Sequence, residues 1–175
     1  EDEQELGAAC VDIGGGTSSV SIFMKKHMIY ADTVRLGGDH ITRDISMGLQ
    51  VPMALAERIK TMHGGLIATG MDDRDMIEMG GDTGDWERDR RMVSRAELIG
   101  IIRPRMEEIF EDIRACLDAA GFDHLPAQQI VLTGGGSQIP GIDDLASRLL
   151  GQQVRLGRPL RIHGLPPAYA GANCA

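Results

Sequence analysis

Apolar and polar positions alternate along the first thirty-five residues, and the alternation breaks only where glycine or lysine pairs intervene. "AACVDI" (residues 8–13), "SVSIFM" (19–24) and "HMIYADTVR" (27–35) read as three strands. In the second, Val20, Ile22 and Met24 alternate with Ser19, Ser21 and Phe23. Lys25–Lys26 is a connection short enough for a hairpin, so a meander of three antiparallel strands is expected. The period then changes. In "LGGDHITRDISMGL", Gly37–Gly38 marks a turn, Asp39 is placed to cap a helix, and Ile41, Ile45 and Leu49 recur every four residues. A second helix opens with Pro52 at its first position and stops at Gly64.

Residues 65–92 are acidic and glycine-punctuated, with short apolar runs such as "MIEM", and suggest a small β-rich piece with exposed loops. Ser94 and Glu97 have the spacing of a capping box. A long stripe follows through Leu98, Ile102, Met106, Ile109, Ile113, Cys116, Leu117 and Ala120 to Gly121, and Pro104 inside it predicts a kink or break near 101–103. "QIVLT", "GGGSQIPG", "IDDLASRLLG" and "QVRLG" then read as strand, loop, helix and strand, and the terminal "LPPAYAGANCA" supports at most another helical turn or two. Three antiparallel strands feeding parallel β-α units make an α/β fold with a mixed sheet, carrying a smaller inserted piece.

Composition narrows the partners. Hydrophobic residues make up 42% of the 175 positions but aromatic ones only 3%, so Val, Ile, Leu and Met must build the core. A formal net charge of −8 argues against a nucleic-acid backbone as ligand. No apolar run is long enough to span a bilayer, and the acidic start "EDEQELG" does not resemble a signal peptide, which points to a reducing cytoplasm. Cys10, Cys116 and Cys174 are scattered and odd in number, suggesting buried thiols rather than disulfides or a zinc site.

The chemistry concentrates in an internal echo. "CVDIGGGTSS" and "IVLTGGGSQI" share one plan: apolar strand, polar residue, three glycines, hydroxyl. One glycine cluster after a strand is a weak signal, but ligands of open α/β sheets lie outside the carboxyl ends of the strands. If the strands at 8–13 and 129–132 are neighbours, Gly14, Gly15 and Gly16 face Gly134, Gly135 and Gly136 across one crevice. Bare N–H groups with the hydroxyls of Thr17 and Ser18 would make an anion nest suited to a polyphosphate. No G-K-[ST] follows, which excludes the Walker type, and no GxGxxG opens a helix. Asp12 beside such a nest requires a divalent cation or a bound water in between, or else caps the turn structurally. Glu57 and Lys60, three apart on a helix, read on spacing alone as a solvated ion pair.

Together these stretches resemble the actin-like ATPase superfamily, and within it most closely the bacterial cell-division family FtsA. The marks are "VDIGGGTSS", "LGGDHITRDI", "AERIK", "RPRMEEI" and "VLTGGGSQIPG", in that order. The resemblance implies ATP and Mg2+ as cofactors. Asp12, Gly14, Gly15, Gly16, Thr17 and Ser18 would surround the β- and γ-phosphates, with Asp12 holding Mg2+ through water. Gly38 and Asp39 would stand at the phosphate edge, Glu57 and Lys60 at the ribose and adenine, and Gly134, Gly135, Gly136 and Ser137 at the adenosine end. It further implies that 1–50 and 121–175 form subdomain 2A, and 51–120 an inserted subdomain 2B that receives the C-terminal tail of the tubulin-like FtsZ. Arg91, Arg95, Arg103 and Arg105 are candidate contacts for that acidic tail.

The family's first lobe, self-association subdomain and amphipathic membrane helix are not found in the sequence, which reads as the second lobe alone. The expected function is therefore that of a division protein tying the FtsZ ring to the cytoplasmic membrane at the septum and recruiting other divisome proteins. This chain by itself is expected to bind ATP weakly or not at all and to lack hydrolysis. The alternatives are a related actin-like module such as the pilus-assembly protein PilM, or an ATPase or sugar kinase of the same superfold.

Overall fold

A computed structural model describes residues 7–79, 91–125 and 129–157. The described residues fall into two compact units. Unit 1 draws on Glu1–His40, Glu107–Gln138 and Ile142–Ala175, and unit 2 on Ile41–Met106 and Ile139–Gly141.

Unit 1 is built on a five-stranded sheet. Strands β1 (Ala8–Ile13), β2 (Ser18–Met24) and β3 (His27–Val34) form the expected antiparallel meander, while β6 (Gln129–Thr133) and β7 (Gln153–Leu156) run parallel to β1. The order across the sheet is β3-β2-β1-β6-β7, which puts β1 at the centre. The register aligns Val11 with Val20 on one side and Leu132 on the other, so one face of the sheet collects the apolar side chains. Ala9, Val11, Ile13, Val20, Ile22, Ile130 and Leu132 are all buried there. The hairpin between β2 and β3 is as tight as anticipated. Lys25 and Lys26 both take positive φ, 50° and 65°, the backbone that lets a two-residue turn match the twist of its strands.

Helix α4 (Ile142–Leu150), between β6 and β7, buries Ile142, Leu145, Ala146 and Leu150, positions spaced to share one face. Asp143 and Asp144 lie in its first turn and Arg148 in its last, each favourable to the helix dipole.

Unit 2 contains α2 (Met53–His63) and a two-stranded antiparallel ribbon of β4 (Met76–Met79) and β5 (Arg91–Ser94). The ribbon supplies the β character anticipated for this region; residues 80–90 lie outside the described residues. Helices α1 (Gly38–Leu49) and α3 (Arg95–Ala119) contribute residues to both units. Ile41, Ile45, Leu49, Ala56, Ile59, Leu98, Ile102 and Met106 are buried in unit 2, and Ile109, Phe110, Ile113 and Leu117 in unit 1.

Three local expectations change. Helix α1 begins at Gly38, so Asp39 lies inside its first turn instead of capping it. Pro52 is the cap of α2 and Met53 its first residue. Helix α3 runs unbroken through Pro104. The carbonyl that loses its partner to proline is that of Gly100, and both residues face solvent, where water can satisfy it. At its start, the Glu97 N–H donates to Ser94 Oγ at 3.1 Å, as the capping spacing predicts. At its end, Gly121 takes a φ of 68°.

Candidate functional site: two glycine loops at the tips of β1 and β6

The condition set by the sequence is met: β1 and β6 are adjacent and parallel, with Asp12 opposite Thr133. Both glycine loops therefore leave the same end of the sheet from neighbouring strands. They also touch. A Cβ on Gly134 would lie 2.6 Å from the Ile13 carbonyl oxygen and collide with the Asp12 carboxylate, and one on Gly136 would strike the Ile13 side chain.

The first loop, residues 14–17, reverses the chain between β1 and β2. The Gly14 N–H donates to the Thr17 carbonyl at 2.9 Å, which leaves Gly15 and Gly16 at the exposed tip. None of these three glycines takes a left-handed φ, so conformational need does not explain them. Crowding explains two. A Cβ on Gly14 would sit 3.1 Å from the Thr17 carbonyl, and one on Gly15 would sit 3.0 Å from the Asp39 carboxylate. Gly16 is different, because a Cβ there meets no protein atom within 4 Å.

The start of α1 clamps this loop from behind. The N–H groups of Gly38 and Asp39 donate to the carbonyls of Gly14 and Gly15 at 2.9 and 2.8 Å. Gly37 allows the approach, since a Cβ there would be 2.5 Å from both carbonyl oxygens. Its own N–H donates to His40 Nδ1 at 3.2 Å. The loop carbonyls are thus turned into the protein. Among the described residues, the N–H groups of Gly15, Gly16 and Thr17 meet no backbone acceptor. Ser18 is buried in β2 and donates its hydroxyl to the Leu36 carbonyl at 2.8 Å, which anchors the loop's exit.

The second loop turns on Gly134, at φ 85°, into a single 3-10 turn spanning Gly135–Gln138. Ser137 is buried, and both its N–H and its hydroxyl donate to the Gly134 carbonyl, at 3.2 and 2.7 Å. Gly135 is exposed, and a Cβ there meets nothing within 4 Å. Each loop therefore keeps one glycine, Gly16 and Gly135, that protein packing does not require.

Asp12 is exposed at the end of β1. Burial, followed by the charge of Asp12, pushes the half-buried Cys10 thiol up, with Arg155 acting in the opposite sense. No group of three or more His, Cys, Asp or Glu side chains among the described residues is arranged to hold a metal ion.

Glu57, Lys60 and Thr42 all belong to unit 2 and are linked to one another by polar contacts. Lys60 Nζ lies 2.7 Å from Glu57 Oε2 and donates to Thr42 Oγ1 at 2.8 Å, and Thr42 donates in turn to Glu57 Oε2 at 2.5 Å. Partial burial raises the Glu57 carboxyl, but hydrogen bonds from Lys60 and Thr42 and the Lys60 charge together hold it below the usual range. The solvated ion pair expected from spacing alone is thus tied to a buried hydroxyl. Thr42 lies within the stretch "LGGDHITRDI", but spacing alone could not pair it with partners 15 and 18 residues away.

The four candidate arginines occupy different settings. Arg105 holds Asp44 in a two-pronged contact, Nε to Oδ2 at 2.6 Å and Nη2 to Oδ1 at 3.2 Å. Arg95 pairs with Asp75 at 2.7 Å. Arg91 is exposed at the start of β5, and Arg103 is half-buried on α3. Among the described residues, no helix is long and apolar enough to cross a membrane.

Comparison with known proteins places this geometry in context. The family model described as "Cell division protein FtsA" matches residues 9–173. The cell-division proteins FtsA of Agrobacterium fabrum and Rhizobium meliloti are each 42% identical over 172 residues, spanning 98% of this chain and 39% of theirs. The chain thus spans about two fifths of the length of these relatives. Among solved structures, MreB of Spiroplasma citri bound to AMPPNP superposes with a TM-score of 0.67 at 19% identity, covering 87% of this chain and 48% of that one. A PilM-PilN type IV pilus biogenesis complex gives 0.66 at 19% identity, covering 90% and 37%. At that identity both likenesses show the actin-like fold alone.

Proposed function

Because the chain belongs to the FtsA family of cell-division proteins, we propose that it forms the part of an actin-like division protein that cradles the polyphosphate of ATP between its two glycine loops. The observation that carries this reading is the pairing of Gly16 and Gly135. Both lie at one end of the sheet, both are glycine without an internal reason, and the first sits among N–H groups that have no backbone acceptor. Successive N–H groups of that kind favour an anion, and a side chain at either position would stand where the ligand approaches. Gly14, Gly15, Gly38, Asp39, Gly134 and Gly136 shape the cradle, Thr17 adds a hydroxyl, and Ser18 and Ser137 brace it from within.

Mg2+ fits this donor set. That ion is commonly held by nucleotide phosphates and water with only one or two carboxylates, and Asp12 supplies one, through water. When bound, it would neutralise phosphate charge that Asp12 would otherwise repel. Glu57 and Lys60 extend the proposal to the ribose and adenine by resemblance to the family.

The wider role proposed is attachment of the FtsZ ring to the cytoplasmic face of the membrane at the septum, with self-association and recruitment of other divisome proteins. These belong to the full-length protein. For the FtsZ tail, Arg95 and Arg105 already hold acidic partners within unit 2, so Arg91 is the foremost of the four candidates, with Arg103 beside them. A pilus-assembly role has only fold likeness behind it.

The test is a titration of the chain with Mg-ATP followed by two-dimensional amide NMR, which reads even dissociation constants on the order of millimolar. Shifts centred on Gly15, Gly16, Thr17 and Gly135 are expected, and Gly16→Asp should abolish them while leaving the rest of the spectrum in place. Shifts confined to other residues, or a Gly16→Asp variant that responds like the parent, would refute the reading.

A further inference from the structure

The first turn of an α-helix leaves backbone N–H groups without helical partners, and buried ones must find acceptors elsewhere. At the start of α1 those acceptors are specific. Gly38 and Asp39 donate to the Gly14 and Gly15 carbonyls at 2.9 and 2.8 Å, and the His40 N–H donates to the Gly37 carbonyl at 3.1 Å. The N–H of Gly37 is left. This residue is buried, and its N–H meets no backbone acceptor among the described residues. It donates instead to Nδ1 of the half-buried His40 at 3.2 Å. Gly37 and His40 thus bond each other twice, once through the main chain and once through the ring. All of these residues lie in unit 1.

In the usual capping box the residue before the helix contributes a hydroxyl, and a Glu or Gln three positions on reaches back to its N–H. The first half is impossible here, because a Cβ on Gly37 would lie 2.5 Å from both loop carbonyl oxygens. The second half joins helix to loop alone. Histidine performs it with an uncharged acceptor, where glutamate would add a negative charge behind a loop that spends its own carbonyls inward. An imidazole nitrogen accepts only when it bears no proton, so the bond assigns the ring hydrogen to Nε2.

We infer that His40 is a positioning residue of the phosphate loop: by accepting from Gly37 it holds the first turn of α1 against the Gly14 and Gly15 carbonyls, which keeps the N–H groups of Gly15, Gly16 and Thr17 presented to an anion. The inference rests on the reading of the two glycine loops as a polyphosphate cradle. It adds a side chain that touches no ligand and acts through the backbone of Gly37. Without that acceptor a smaller fraction of the chain keeps the loop in its binding shape, and apparent affinity falls by the same fraction.

The experiment follows Mg-ATP and magnesium tripolyphosphate as ligands of the whole chain by amide NMR. His40→Leu, which cannot accept, should weaken both about tenfold, because the brace serves the phosphates and not the nucleoside. His40→Gln, the ordinary capping-box residue, should recover most of the loss of both, a rescue that a packing role for the ring would not give. In the parent chain the long-range 15N–1H spectrum of the neutral ring should show the proton on Nε2. That spectrum and the glutamine variant decide the matter should His40→Leu fail to fold. A proton on Nδ1, a leucine variant that binds like the parent, a loss confined to Mg-ATP, or a glutamine variant as weak as the leucine one would each overturn the inference alone. A parent chain that responds to neither ligand overturns it together with the reading beneath it.

Discussion

Substituting Gly134 by alanine is the sharpest probe of the two-loop arrangement, because the structure charges it twice. The residue sits at φ 85°, where an L side chain costs about 1–2 kcal/mol. The added Cβ would also stand 2.6 Å from the Ile13 carbonyl oxygen and 2.8 Å from its carbon, besides striking Asp12. Asp12 is exposed and can swing aside. The Ile13 carbonyl cannot, since it ends the central strand of the sheet. Forcing β1 and β6 apart at their tips adds about 1–3 kcal/mol of overpacking. The sum, about 2–5 kcal/mol, is a large part of the roughly 5–15 kcal/mol that holds a domain together. Gly135→Ala is the control next door: a Cβ there meets nothing within 4 Å, so the change should stay within about 0.5 kcal/mol. Native-state hydrogen exchange of the Val11 and Leu132 amides, both at buried positions of paired strands, reads the stability of unit 1 directly. A loss of 2 kcal/mol speeds their exchange about 30-fold. Indistinguishable exchange in the two variants would show that the loops are not packed against each other as described.

Other consequences follow from individual contacts. Asp44→Ala removes both prongs from Arg105, whose pair is 27% and 19% exposed; the cost should be about 1–2 kcal/mol, below the range for a fully buried pair, and read as faster exchange of Ile102. Glu57 has a depressed folded pKa, so its contribution to stability is fully present above the ordinary carboxylate range and lost as pH falls through the folded value. With that carboxylate about half exposed, a urea titration should find only a few tenths of a kcal/mol between the parent and Glu57→Gln at neutral pH, vanishing as pH falls below the folded value. Burial and then the charge and hydrogen bond of Asp32 raise the Cys116 thiol, so in a Cys174→Ser background both Cys116 and Cys10 should react slowly with a thiol reagent at neutral pH. Asp32→Asn should accelerate Cys116 while leaving Cys10 unchanged, and equal rates before and after would remove Asp32 as a cause.

What the chain discloses without a structure depends on how local the cause is. The meander, the stripe of α3 and the glycine loops each arise from neighbours within a few residues, and period or spacing reveals them. The start of α1 is harder, because Gly37 and Gly38 look like an ordinary turn until the carbonyls of Gly14 and Gly15 are known to lie against them, more than twenty positions earlier. The same holds for Pro104. Its ring is disruptive in any helix read in isolation, and it is tolerated here because Gly100, one turn earlier, is exposed and carries no side chain. Thr42 is the extreme case, a buried residue hydrogen-bonded to two side chains of another helix, 15 and 18 positions away.

This difference in reach bears on how the glycines themselves should be interpreted. Two runs of three look equivalent in the sequence, and both invite a ligand. The structure divides them by cause: Gly14 and Gly15 yield to a carbonyl and a carboxylate, Gly134 and Gly136 to β1, and only Gly16 and Gly135 remain without an internal reason. A loop shaped only for turning would need glycine where the backbone is left-handed or crowded, and neither condition holds at these two positions. The clamp from α1 points the same way, because it spends helix N–H groups on loop carbonyls and thereby turns the loop's own N–H groups outward. A helix start that bound phosphate itself would have kept those donors for the ligand. The division of labour is therefore specific: α1 braces, the first loop donates, and the second loop sets the spacing through Gly134. Replacing Asp39 by asparagine should leave that brace intact, since its contribution to the clamp is a backbone N–H. A marked loss of stability in that variant would instead assign the brace to the carboxylate.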